Sequence, residues 1–169
     1  MTARRLVSLV AALAAAAILT SGCGAVERPT TAAVVDGRVI TTGELTRTAE
    51  QLDAAKVLAQ PATETDVLNW LILAGFIERQ TAASGSWSPD DKYYAVAAQV
   101  AAPTDATLEY LKARVAVSSL TSADRDAILA KLGAAQITVN PQFGRFDPAD
   151  GGLKTVNAPW IKPAPAPTA

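Results

Sequence analysis

Only two stretches of this chain have the residue pattern of strands, and they stand at opposite ends of a long segment with helical period. Ala33-Val34-Val35-Asp36-Gly37-Arg38-Val39-Ile40 holds two short β-prone runs divided by Asp-Gly. That pair accepts the positive φ angles of a two-residue type I′ turn, so a hairpin is expected. Far downstream, Ile137 and Val139 alternate with Thr138 and Asn140 until Pro141 ends the run. A lone short strand is not stable, so this one should pair with the hairpin and draw the two ends of the domain together. The expected fold is mostly α: about five helices, with a small β hairpin paired to a short C-terminal strand.

The helical body has its own punctuation. Thr41 and Glu44 stand at capping-box spacing before a face of Leu45, Ala49, Leu52 and Ala59, with Pro61 as the stop. Thr63 or Thr65 caps a second helix with Val67, Leu68, Leu71, Ile72 and Gly75 on one stripe, broadened by Trp70, Phe76 and Ile77. So wide an apolar surface is either central to the core or covered by an extra partner. Ser84-Gly85-Ser86 breaks the pattern, and Ser88-Pro89 opens a third helix with proline at its first position and Asp90 and Asp91 near the positive dipole end. Pro103-Thr104 opens a fourth with Leu108, Leu111 and Val115 in phase. A Thr121 or Ser122 cap starts a fifth, through Ile128, Leu129 and Leu132 to a C′ glycine at Gly133.

Ahead of the domain, Arg4 and Arg5 precede Leu6–Leu19, fourteen residues whose only polar side chain is Ser8. This reads as a signal peptide. As a helix the run would span roughly 21 Å, short of the ~30 Å hydrocarbon core, which disfavours a permanent transmembrane segment. Leu19-Thr20-Ser21-Gly22-Cys23 resembles a bacterial lipobox, with Thr20 where Leu or Val is more usual. Cys23 is therefore expected to carry a diacylglyceryl anchor and to become the first residue after cleavage; an ordinary secretory signal, an uncleaved anchor or a structural cysteine are the alternatives. The Arg4-Arg5 pair leaves the Sec and twin-arginine routes both open. Cleavage removes two arginines and no acid, moving the formal charge from −1 to −3. The expected division is a lipoprotein signal peptide over 1–22, a tether over 23–32, a helical domain over 33–157 and a Pro/Ala-rich disordered tail over 158–169.

Composition narrows the chemistry. There are 0 histidines and 1 cysteine, which removes Ser-His-Asp and Cys-His relays, His-ligated zinc or haem, and disulfides within the chain. The near-neutral charge gives no reason to expect nucleic acid. No glycine-rich phosphate loop or dinucleotide fingerprint is present, so no cofactor and no metal are expected. Asp147-Pro148-Ala149-Asp150-Gly151-Gly152 lacks the further ligands of a calcium loop and reads as a turn. Asp90 and Asp91 project about 100° apart on a helix and do not form an acid pair.

The run Val35-Asp36-Gly37-Arg38-Val39-Ile40-Thr41-Thr42-Gly43-Glu44-Leu45 resembles the opening of the SurA/PrsA-type chaperone family, a V-N-G-x-x-I-S/T-x-x-E-L/F hairpin and capped helix. Val35, Gly37, Ile40, Thr41, Glu44 and Leu45 match; Asp36 stands where Asn is commoner. Ile137-Thr138-Val139-Asn140-Pro141-Gln142-Phe143-Gly144 is similar to the V-N-P-R/K-F/Y-G run that closes this domain in actinobacterial lipoprotein relatives. There Asn140, Pro141, Phe143 and Gly144 match and Gln142 replaces a basic residue. The motifs cover about twenty to thirty residues; the helices between them match only in number and type. Many family members also carry a parvulin-type isomerase domain with histidines, for which this chain has neither length nor histidine. The resemblance thus implies a noncatalytic, chaperone-like module that holds unfolded or secreted polypeptides in an apolar cleft between helices, at ~25 cal/mol per Å² buried. The alternative is an envelope adaptor that binds one folded partner. In either role the membrane is met through the N-terminal lipid. Trp70, Phe76, Trp87, Tyr93 and Tyr94 are the candidates for client or partner contact, with core packing as the competing role for Trp70 and Phe76. Trp160 is expected to pack the start of the tail onto the domain.

Overall fold

The computed structural model describes residues 30–154. The readings of residues 1–29, Cys23 among them, and of residues 155–169, Trp160 among them, lie outside the described residues. The fold is mostly α, with five α-helices, a three-stranded sheet and a two-stranded ribbon among the described residues.

Strands β1 (Thr31–Val35) and β2 (Arg38–Thr41) form the expected hairpin, turning through Asp36 at φ 48° and Gly37 at φ 86°. Both angles are positive, as a type I′ turn requires. The register slips between Thr31 and Ala33, which leaves Ala32 as a bulge; it is fully buried. Thr30 O also accepts from Thr42 N at 2.8 Å. The expected tether through residue 32 is therefore too long by Thr31 and Ala32, which belong to the sheet. Strand β3 (Ile137–Val139) pairs antiparallel with the other side of β1, giving the order β2-β1-β3. The two ends of the domain meet in one sheet, as the sequence requires.

Thr41 closes its capping box on α1 (Thr42–Ala55): its backbone N–H donates to Glu44 Oε2 at 2.7 Å and its Oγ1 accepts from Glu44 N at 3.2 Å. Replacing Thr41 with alanine is expected to lower stability by about 1 kcal/mol, measured as a shifted urea midpoint at unchanged slope. Leu45, Thr48, Ala49 and Leu52 line the buried face. The helix does not reach Pro61. It ends at Lys56, which turns left-handed at φ 52°, and Val57 and Leu58 fold back onto the core. Asp53 Oδ1 accepts from Ala62 N at 2.8 Å to fix the return. Ala59, expected on the helical face, is an exposed loop residue instead.

Helix α2 (Glu64–Ser84) is capped by Thr63 and ended by Gly85 at φ 67°. It packs against α1, β1 and three later elements, α4 (Asp105–Ala116), α5 (Ser122–Ala134) and β5 (Gly152–Lys154). That central position explains an apolar surface reaching around much of the helix. Leu68 and Val67 are fully buried and Leu71 and Ile72 nearly so.

The other helices depart from expectation at their ends and faces. Before α3 (Asp91–Ala97), Asp90 is the cap and accepts from Tyr93 N at 3.0 Å, so Pro89 precedes the cap instead of occupying the first turn. Thr104 caps α4, but its buried face is Ala106, Thr107, Tyr110, Leu111, Ala113 and Ala116. Leu108 and Val115 are only half-buried because Tyr110, 1% exposed, takes the core position. Thr121 caps α5; Gly133 lies within that helix, and Ala135 ends it in an extended conformation. Strand β4 (Arg145–Asp147), which the sequence reading missed, pairs with β5 around the expected Asp147–Gly152 turn. Leu153 N donates to Asn69 Oδ1 at 3.1 Å and fastens this ribbon to α2.

Candidate functional site

The five aromatic candidates do not form one surface. Phe76 is 3% exposed and Tyr93 8%, so these two are core residues and cannot meet a partner as proposed from the sequence. Trp70 is half-buried, edge-on to Tyr110 with centroids 6.3 Å apart, and the Arg114 guanidinium lies 5.2 Å from its ring. Trp87 is also half-buried; its indole Nε1 donates to Asp90 Oδ2 at 3.3 Å and its ring meets Tyr93 edge-on at 6.3 Å. Tyr94, 5.2 Å from the Tyr93 ring, is the exposed member, at 60%. Its helix turns consecutive residues about 100° apart, which separates it from buried Tyr93.

Between α2 and α4 the alanines Ala74, Ala113 and Ala116 let the helices approach until a cavity of about 10 Å³ remains beside Ile77 and Trp87. That is the lower limit for one water molecule. The larger depression, about 410 Å³ and open, is lined by Gly43, Glu44, Arg47, Thr104, Asp105 and Ala106. It lies where α1 and α4 begin, its lining mixes charged and hydroxyl side chains with Gly43 and Ala106, and Glu44 and Thr104 already serve as helix caps there. Exposed large apolar side chains among the described residues are Val39, Tyr94 and Leu129, each on a different element. The exposed large apolar side chains among the described residues therefore do not gather on one surface.

The motif residues do come together. Asn140 donates through Nδ2 to Thr31 O at 3.2 Å and through its backbone N–H to Ala32 O at 2.8 Å, while its Oδ1 accepts from Gln142 N at 3.1 Å. Phe143 is 8% exposed, and Gly144 adopts φ 104° and ψ −155°, a region open essentially to glycine alone. Pro141 starts the short 3-10 turn between them. Val35 and Gly37 shape the hairpin, Ile40 and Leu45 are fully buried, and Thr41 and Glu44 cap α1. The closing motif is thus bonded directly to the strand that the opening motif continues. No protein-family model, curated protein or solved structure matches the chain.

The charged groups serve the framework. Asp124, 3% exposed, accepts from Gln80 Nε2 at 2.9 Å and from Thr121 Oγ1 at 2.8 Å, which holds its carboxyl far below the usual range. Asp90 is lowered by the Tyr93 amide and the Trp87 indole, and Asp147 by Lys154. A general acid at neutral pH needs the opposite shift. Lys154 reaches both Asp147, at 2.6 Å, and Asp150, so its ammonium supplies the positive charge in the turn that superficially looks like a calcium loop. Arg38 forks onto Glu109 and ties β2 to α4; that hydrogen-bonded pairing raises the guanidinium pKa further. The cluster of buried Thr48 and Thr107 with half-buried Gln51 is a feature the sequence did not announce. Gln51 Oε1 accepts from Thr107 Oγ1 at 2.6 Å, and its Nε2 donates to Ala102 O at 2.9 Å, so one side chain clamps α1 to the loop before α4.

Asp124 also gives a pH dependence with a defined sign. Its folded pKa lies below the usual 3.8, so its contribution is fully present above that value and is lost as pH falls through the lower one. Thermal melts between about pH 6 and pH 2 should show a steeper loss in the wild type than in Asp124→Asn. Parallel curves would remove this carboxylate as the cause.

Proposed function

We propose that this chain is a membrane-anchored extracytoplasmic lipoprotein, lipidated at Cys23, whose domain binds unfolded or secreted polypeptides in a noncatalytic, chaperone-like role. The observation that supports the reading most is the joining of the two motifs: Asn140 is bonded to Thr31 and Ala32 of the hairpin, so sequences resembling the start and end of a SurA-type domain form one structural unit. The sequence supports the anchor, since Leu19-Thr20-Ser21-Gly22-Cys23 ends a run of signal-peptide length.

A second reading, an adaptor for one folded envelope partner, is favoured by the closed packing of α2 on α4 and by the isolation of exposed Tyr94. Photocrosslinkers placed at Tyr94 and Val39 of the full-length protein in cells separate the two. A diverse set of secreted polypeptides is the result expected of the chaperone role. One stoichiometric product supports the adaptor, and the absence of any protein product at either position contradicts both.

A further inference from the structure

The chain enters the domain at a fixed end. Thr30 O accepts from Thr42 N at 2.8 Å, at the start of α1, and Thr31 O accepts from Asn140 Nδ2 at 3.2 Å. One turn along α1, Thr46 Oγ1 lies 3.1 Å from Thr42 O and donates to Glu64 Oε1 at 2.5 Å. Glu64 is the first residue of α2, so hydrogen bonds in series place the first turn of α2 beside the point of entry. Exposed Pro141 and Gln142 stand there as well, because Gln142 N donates to Asn140 Oδ1 at 3.1 Å.

Helix α2 leads away from this end. With 21 residues at a rise of about 1.5 Å each, it carries Ser84 to ~30 Å from Glu64. The hairpin points the same way: Arg38, next to the Asp36-Gly37 turn, forks onto Glu109, which lines the small cavity together with Glu78 and Trp87. Trp87 meets Tyr93, and Tyr93 adjoins exposed Tyr94. The domain thus has an entry end and, at the far end of α2, an aromatic end.

We propose that the anchored domain is held with its entry end toward the lipid headgroups and its aromatic end toward the space from which an exported polypeptide arrives, an inference that rests on lipidation at Cys23. Residues 23 and 30 are seven positions apart, and at no more than ~3.6 Å per residue that length of chain spans at most ~25 Å. Turning the aromatic end onto the bilayer would lift Thr30 by about the length of α2, ~30 Å, which exceeds that reach. The domain can stand upright or lean on the membrane, and it cannot invert. The headgroups therefore meet Pro141, Gln142 and the first turns of α1 and α2, and the Trp87–Tyr94 end stays clear of them.

Fluorescence quenching on the full-length lipidated protein tests the orientation, in phosphatidylcholine vesicles whose headgroups carry a nitroxide. Cys23 is the one cysteine of the chain and is acylated in this state, so the introduced thiol of Gln142→Cys or Ala83→Cys takes the fluorophore alone. Both positions are exposed. With the two ends ~30 Å apart, the label at 142 should be quenched at least about two-fold more strongly than the label at 83. Thr65→Cys and Ser88→Cys, also exposed, repeat the comparison at the two ends of α2 should either variant of the first pair fail to fold. Equal quenching at both ends, or stronger quenching at the aromatic end, in protein that floats with the vesicles overturns the orientation and leaves the lipidation reading standing. Protein that does not float, and whose Cys23 itself takes the fluorophore, overturns both.

Discussion

Replacing Cys23 with alanine is expected to abolish incorporation of a fatty-acid analogue and to leave the precursor at its full mass. In the lipoprotein route the thiol receives its diacylglyceryl group before the signal is removed, so loss of the thiol blocks both steps. Several acyl chains on one residue exceed the single-chain binding that is only marginal, at ~0.8 kcal/mol per buried methylene. The double readout separates the alternatives. An ordinary secretory signal would be cleaved in both proteins and would label neither, whereas equal labelling of wild type and Cys23→Ala would place the acyl chains elsewhere.

Leu68→Ala is expected to be the most damaging kind of single change within the domain. Leu68 is fully buried on α2, the helix that touches α1, α4, α5 and strands β1 and β5. Removing its side chain loses transfer energy and leaves a void that neighbours from several elements cannot all fill, for a cost of about 3 kcal/mol. In a domain of this size that lowers the melting temperature by roughly 10 °C. Leu129, 37% exposed on α5, is the control; its alanine variant should lose no more than about 1 kcal/mol. Similar losses at the two positions would contradict the central placement of α2.

The parts of the fold legible in the sequence are those with local chemical causes. Asp36-Gly37 carries its own turn geometry, and Thr41, Thr63, Thr104 and Thr121 cap the helices they precede. The pairing of β3 followed from the need of a short strand for a partner. Helix ends were harder, because Lys56 adopts a left-handed angle usually left to glycine and Gly133 does not. Tyr110 was missed on α4 because the leucine and valine spacing suggested a face slightly rotated from the buried one. β4 and β5 have three residues each, too few to display a period.

The candidate site was less legible than the fold. Clustering in sequence grouped Tyr93 with Tyr94, but burial is decided by what packs against each: Trp87 covers Tyr93, and Tyr94 faces outward. The atoms of the two motifs are committed to the hairpin, the cap and the Asn140 clamp. They mark the framework, and the surface that meets a partner has to be sought on exposed backbone and side chains around it.

Suppression of aggregation is the measurement that bears most directly on the central claim. Soluble protein lacking residues 1–23 is added in increasing ratio to a reduced protein that aggregates, and light scattering is followed. The account predicts half-suppression near one-to-one stoichiometry, with no change in the rate of prolyl isomerisation. Undiminished aggregation at several-fold excess, with no crosslinked polypeptides in cells, would contradict it.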